Sequence, residues 1–278
     1  MQNAINHIRF ELSAYYTENE LQSVVRLLIS NITGFSFTEI LVNKNTIFSA
    51  YQRDLLNFYL EKLKTGMPVQ YVLGETEFCG LIFRVDQSVL IPRPETEELV
   101  EWIVRESAVD SVILDIGTGS GCIAIALKYF MTQADVHACD VSLESLNTAR
   151  KNAEMNKTGV DFFYMDVLDE NNTDCRYDVI VSNPPYIPYA EQTEISDHVK
   201  NFEPEGALFV PDDDPLVFYR KIAEFAKCHL HAGGKLFFEV HRDFGVACIS
   251  MLHEMNFQQL EMRKDIAGND RMIRAVVL

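Results

Sequence analysis

The chain is short of the features that mark several large classes of protein. Its six cysteines, Cys79, Cys122, Cys139, Cys175, Cys228 and Cys248, form no C-x-x-C pair and have no histidine at metal-ligand spacing. That pattern excludes a zinc ribbon and a disulfide framework, so reduced thiols and no metal are expected. The N-terminus, Met1-Gln2-Asn3-Ala4-Ile5-Asn6-His7, lacks a basic start and an apolar core region, and no apolar run approaches the ~20 residues that span a bilayer. A cytoplasmic protein with no membrane association is expected. Positive charge is also scarce: 24 Lys+Arg stand against 41 Asp+Glu, for a net charge of -17. Residues 1–75 carry a balance of only -1, which leaves -16 for residues 76–278. A duplex substrate is disfavoured, because affinity for a phosphate backbone needs Lys and Arg to displace counterions.

What is present is enough apolar residue, 47% of 278, to bury a full core. From Ile5 to Lys64 apolar residues recur at helical spacing, as in Leu21, Val24, Val25, Leu28 and Ile29 and again in Leu55, Leu56, Tyr59, Leu60 and Leu63. The breakers Asn31, Thr33 and Gly34 separate the helices, and Thr65-Gly66-Met67-Pro68 ends the last. The period then changes. Phe78, Leu81, Phe83 and Val85 alternate around Gly80 as in a β-hairpin, and Val89-Leu90-Ile91 continues the extended character. In Ile91-Pro92-Arg93-Pro94 each proline holds its predecessor extended, and Glu95, Glu97 and Glu98 open a helix to about Arg105.

Beyond Asp110 strands and helices alternate. Strands are predicted at Val112–Asp115, Val136–Asp140, Val160–Met165, Val179–Val181 and Lys235–Val240, with two closing strands near Gln259 and Ile273. Helices are predicted over Cys122–Phe130, Ser142–Asn156, Pro215–Leu230 and up to about Met255. The strands are too apolar to have a wet face, so an α/β fold follows, with a mainly parallel sheet covered on both sides.

Two segments carry chemistry. Leu114-Asp115-Ile116-Gly117-Thr118-Gly119-Ser120-Gly121 joins a strand to a helix, and its glycines permit positive φ and close approach of a ligand. Asp140 ends the next strand, where an acid holds ribose hydroxyls, and Asp166 ends the third, where it can accept from an adenine amino group or cap a turn. A dinucleotide and an adenosyl ligand both satisfy this spacing. The second segment, Asn183-Pro184-Pro185-Tyr186, follows the buried run Tyr177-Asp178-Val179-Ile180-Val181-Ser182. Two prolines remove two N–H donors and stiffen the backbone, so carbonyl oxygens can face a ligand. With the Asn183 oxygen they match the two N–H donors of a primary amide or an exocyclic amine, and Tyr186 can flank the reacting group with its π-face. An amide nitrogen is a poor nucleophile, and holding both hydrogens on acceptors in line with a methyl sulfonium favours attack.

These segments resemble the HemK/PrmC family, the N5-glutamine methyltransferases of peptide-chain release factors. The resemblance also rests on Gly66-Met67-Pro68-Val69-Gln70-Tyr71-Val72-Leu73-Gly74, Phe78-x-Gly80-Leu81-x-Phe83-x-Val85, Val89-Leu90-Ile91-Pro92-Arg93-Pro94-Glu95-Thr96-Glu97 and Glu203-Pro204-x-x-Ala207-Leu208. It implies a helical N-terminal domain over 1–74 that docks the substrate, a β-hairpin linker over 75–92, and a seven-stranded Rossmann-like S-adenosylmethionine-dependent domain over 93–278. It implies S-adenosyl-L-methionine as cofactor, bound by Gly117, Thr118, Gly119, Ser120, Gly121, Asp140, Asp166, Val167 and Asn183. By the same resemblance Asn183, Pro184, Pro185 and Tyr186 hold the substrate glutamine, with Asn183, Pro184 and Tyr186 catalytic, in a monomer acting on class 1 release factors without direct nucleic-acid contact. Arg93 and Glu95 belong to the family string either near the site or as structural ion-pair residues.

The chain departs from the family pattern in Glu239-Val240-His241-Arg242-Asp243-Phe244, which lacks the usual Gly and Gln, in Val167, where an aromatic is usual, and in Pro211-Asp212-Asp213-Asp214-Pro215. Three other readings compete: an adenine-N6 DNA methyltransferase, a ribosomal-protein glutamine methyltransferase, and a non-catalytic methyltransferase scaffold. The first would need a basic recognition region, and the last would be marked by loss of the glycine loop or the tetrad.

Overall fold

The structure, a computed structural model, describes residues 1–169 and 175–278. The chain forms two compact units, one of Met1–Glu75 with Ser196–Phe202 and one of Thr76–Ile195 with Glu203–Leu278.

The first unit is helical: α1 (Gln2–Leu12), α2 (Glu18–Thr33), α3 (Phe37–Val42), α4 (Ala50–Lys64) and α5 (Val69–Leu73). Thr17, Ser36 and Ser49 begin α2, α3 and α4 with capping boxes, each closed by Glu20, Glu39 or Gln52 three residues on. The stripe Leu21, Val24, Val25, Leu28 and Ile29 joins Leu56, Tyr59, Leu60 and Leu63 in one core. The segment Ser196–Phe202 is held here by His198, whose Nδ1 lies 2.6 Å from the Gly66 carbonyl and whose ring stacks on Tyr16.

A hairpin of β1 (Glu75–Phe78) and β2 (Leu81–Arg84) follows, in the second unit from Thr76 on. Its two-residue turn, Cys79-Gly80, has positive φ at both positions (52° and 74°), the backbone of a type I′ turn, whose twist suits paired strands. The chain then turns over Asp86–Val89, with the Val89 N–H donating to the Asp86 carbonyl, so the turn takes in the first residue of the Val89–Ile91 stretch predicted to be extended. The Asp86 side chain explains the difference, since it accepts from both the N–H and the hydroxyl of Ser88.

There follow α6 (Pro94–Glu106), β3 (Val112–Ile116), α7 (Cys122–Phe130), β4 (Asp135–Asp140), α8 (Leu143–Met155), β5 (Asp161–Tyr164), β6 (Tyr177–Ser182), β7 (Ile187–Pro188), α9 (Asp197–Lys200, in the first unit), β8 (Phe209–Val210), α10 (Val217–His229), β9 (Leu230–Glu239), α11 (Gly245–Glu254), β10 (Gln258–Lys264) and β11 (Asp270–Val276). Seven of the strands form one sheet in the order β10-β11-β9-β6-β3-β4-β5. The pairs from β9 through β5 are parallel and those of β11 with β9 and β10 are antiparallel. Strand residues alternate between two cores: Ile113, Val179, Val181 and Phe237 face one, and Leu114, Ile180, Leu236 and Phe238 the other. β9 starts five residues before the predicted Lys235. Gly233 and Gly234 sit inside the strand, Gly233 at φ +80°, where pairing with β6 shifts register between Tyr177 and Val179.

Candidate active site

A cavity of about 270 Å³ opens at the carboxyl ends of β3, β4, β5 and β6. It sits where the strand order reverses, because β4 and β5 extend to one side of β3 and β6 lies on the other. Open α/β sheets hold ligands at that crevice.

The loop after β3 brings Gly117, Thr118, Gly119 and Ser120 to the cavity. Its conformation is fixed by its neighbours. The N–H groups of Gly117 and Thr118 both donate to the Cys139 carbonyl at 2.9 and 3.0 Å, and the Thr118 hydroxyl donates to Asp115 at 2.6 Å. Gly117 and Gly119 have φ of 73° and 54° and open space where a Cβ would stand, so nothing on the protein side fills the cradle. Gly121 differs. A Cβ there would lie 2.9 Å from Ile125 and 3.1 Å from Ala149, and the residue is not part of the cavity wall. It lies where α7 packs against α8, and the sequence reading includes it among the cofactor contacts.

Asp140 lines the cavity and is buried. Its Oδ2 accepts from the Gly119 N–H and its Oδ1 from the Ser142 N–H, both at 2.8 Å, which binds the glycine loop to the turn entering α8. Burial pushes its carboxyl above the usual range, against the pull of these backbone donors. Asp166 and Val167 also line the cavity, together with Met165. Asp166 accepts from the Leu168 N–H at 2.9 Å, so it caps a turn as well as facing the cavity.

From β6 come Asn183, Pro184 and Pro185, all on the wall. The strand end is anchored by the Ser182 hydroxyl, which donates to the Ile116 carbonyl at 2.7 Å. Tyr186 points elsewhere. Its hydroxyl donates to Glu239 Oε1 at 3.3 Å, its ring lies 5.8 Å from that of His241, and it is absent from the wall that the other three line.

Asp115 and Glu203 are not among the site residues that the sequence reading names, whereas Ser120 is. Asp115 is fully buried, its Oδ1 has no partner among the described residues, and burial pushes its carboxyl up to about 7. The Ser120 hydroxyl, on the wall, is likewise unpartnered. Glu203, buried, accepts from Arg93 at 2.6 Å and from the Ile91 N–H at 3.2 Å, and so fastens the Ile91–Pro94 string to the Glu203–Leu208 string. Pro92, Arg93, Pro204, Gly206 and Ala207 from those strings all reach the cavity. Both strings were visible in the sequence, but their pairing across 110 residues was not. Glu95 is outside the wall.

The wall thus offers a glycine cradle with the unpartnered Ser120 hydroxyl, an acid at each of two successive strand ends, an apolar side of Met165, Val167, Phe218 and Ile222, and an amide-accepting strand end opposite. Those polar groups and surfaces fit an adenosyl ligand carrying an amino-acid tail.

Comparison with known proteins agrees. The methyltransferase small domain family matches residues 95–210, and the PrmC N-terminal domain family matches residues 3–74. The chain is similar to a protein named release factor glutamine methyltransferase from Bacteroides thetaiotaomicron, with 42% identity over 99% of each chain. One of that name from Flavobacterium psychrophilum is 41% identical over 95% of this chain and 94% of its own. Another from Lactococcus lactis is 45% identical over 79% of this chain and 81% of its own. Among solved structures, a methyltransferase from Pyrococcus furiosus superposes with a TM-score of 0.54 at 18% identity, over 82% of this chain and 98% of that one. The 16S rRNA N2 G1207 methyltransferase of Thermus thermophilus, solved with AdoMet and guanosine, gives 0.52 at 19% over 73% and 50%. These two share the fold.

Proposed function

The chain belongs to the family of release factor glutamine methyltransferases, and from that membership we propose that it methylates the side-chain amide nitrogen (N5) of the glutamine in the Gly-Gly-Gln motif of class 1 release factors. The observation that carries the proposal is the single cavity in which Asn183, Pro184 and Pro185 face the Gly117–Ser120 cradle, Asp140 and Asp166. We assign the cradle, Asp140, Asp166 and Val167 to S-adenosyl-L-methionine, which when bound supplies an electrophilic methyl group on a sulfonium. Asn183 supplies a side-chain oxygen, and Pro184, which has no N–H to turn back on, leaves its carbonyl as a second acceptor. Two acceptors on one amide nitrogen orient its lone pair and exclude the water that would otherwise hold those hydrogens. No strong base is needed before transfer, because the nitrogen becomes acidic only as it gains the methyl. The proton leaves afterwards to water.

The helical residues 1–74 are proposed to dock the protein substrate, residues 75–92 to link, and residues 93–278 to catalyse, in a cytoplasmic monomer that makes no nucleic-acid or membrane contact. No helix among the described residues is long and apolar enough to cross a membrane. The test is transfer of labelled methyl from S-adenosyl-L-methionine to a panel of acceptors. Release factor is expected to be labelled and its Gly-Gly-Gln→Gly-Gly-Ala variant left blank. Equal labelling of both, or labelling of DNA or a ribosomal protein alone, would overturn the assignment.

A further inference from the structure

Behind the tetrad stands a carboxylate that this chemistry does not use. Glu239 ends β9, whose Phe238 pairs with Ser182 of β6, so it sits beside the strand end that carries Asn183. It is 1% exposed. Its Oε2 accepts from the Thr96 hydroxyl at 2.6 Å and its Oε1 from the Tyr186 hydroxyl at 3.3 Å. Its backbone carbonyl accepts from Tyr219 at 3.2 Å. Thr96, in the first turn of α6, is on the cavity wall, whereas Tyr186 is the end of the tetrad. One carboxylate therefore joins the wall to the back of the amide-binding segment.

Burying a carboxylate costs several kcal/mol unless its oxygens are satisfied, and an apolar side chain would fill the same space without that cost. A satisfied buried polar group instead fixes geometry. Burial raises the Glu239 carboxyl above the usual range, and the Thr96 hydroxyl and the Arg271 charge draw it back down. The segment it holds has few other means of anchorage. Pro184 and Pro185 have no N–H groups, so beyond Ser182 the chain is tied by the Tyr186 hydroxyl and then by the Ile187 N–H, which donates to the Leu208 carbonyl at 3.0 Å.

We infer that Glu239 is a positioning residue for methyl transfer, holding Tyr186 from behind and Thr96 at the wall so that the Asn183–Pro185 acceptors keep their distance from the cofactor side of the cavity. This rests on the reading of Asn183–Pro185 as the amide clamp. A displacement of about 1 Å at a reacting group is enough to slow a reaction on the order of a hundredfold.

The test uses the full-length protein with release factor as acceptor and compares Glu239→Gln, Tyr186→Phe and the double variant. Gln keeps the shape and an acceptor for Thr96, and Phe keeps the ring while removing the hydroxyl. Each single variant is expected to lower kcat about tenfold, with cofactor Kd changed less than about threefold. Because both remove the same hydroxyl–carboxylate bond, the double is expected to be no more than about threefold slower than the slower single. Losses that multiply, or unchanged kcat in Glu239→Gln, would overturn the inference. Should Glu239→Gln not fold, Tyr186→Phe alone decides, and a parental kcat there overturns it. Asn183→Ala is run alongside: parental turnover in that variant would remove the clamp reading itself, whereas slow Asn183→Ala with normal Glu239→Gln would remove only the positioning role.

Discussion

At the scale of single residues, the site depends on polar groups buried for a purpose other than stability. Asp115 is the plainest case. Its carboxyl, ordinarily near 3.8, is pushed up to about 7 by complete burial. Between those values the folded protein holds a proton that the unfolded chain releases, so stability falls as pH rises through the window from about pH 4 to pH 7. At ~1.4 kcal/mol per pH unit the contribution is on the order of 4 kcal/mol. Asp115→Asn keeps an acceptor for the Thr118 hydroxyl and cannot ionise. Its stability relative to the parent, from denaturant unfolding at pH 5 and pH 7.5, should improve by a few kcal/mol toward the higher pH. Parallel curves would show that Asp115 ionises in the folded state as it does in water. Nothing in the sequence singled out Asp115, because its burial depends on strands β4 and β6 closing over both sides of β3.

At the scale of elements, local chemistry was legible and long-range pairing was not. The hairpin could be read from Phe78 to Val85 because its two-residue turn has a glycine where positive φ is required. The seven strands could be read from apolar runs, and the switch-point cavity follows from their order. The early start of β9 could not, since two adjacent glycines look alike as breaker and as bulge. Nor could the Glu239 bridge, which joins residues 53 and 143 positions away. The glycine loop shows the same division. All three glycines looked equivalent in the sequence, yet only Gly121 meets side chains at the crossing of α7 and α8. Gly121→Ala should therefore destabilise by about 2–4 kcal/mol, combining strain at φ +82° with overpacking. Gly117→Ala should cost only about 1 kcal/mol from its positive φ while weakening cofactor binding. Equal stability losses would contradict the separation of a packing glycine from two ligand-facing ones.

At the scale of the whole molecule, the two units have separate cores, with the cavity wholly in the second. Ligand binding stabilises only the folded body that binds it, by about 2.7 kcal/mol at a hundredfold excess over Kd. In a calorimetric scan S-adenosyl-L-methionine should move the transition of the larger unit by that amount, and an equal shift of every transition would show that the units unfold as one. The acidic balance of -16 in residues 76–278 belongs to this scale too, since it opposes a phosphate backbone. In the proposed reaction Asn183 and Pro184 present one glutamine amide to the cofactor. Fragmentation mass spectrometry of release factor treated with parent enzyme or Asn183→Ala tests it most directly. One added methyl on the side-chain nitrogen of the Gly-Gly-Gln glutamine is expected with the parent, and at least a hundredfold slower appearance with the variant at similar cofactor affinity. A methyl on any other residue, or equal rates for the two proteins, would contradict it.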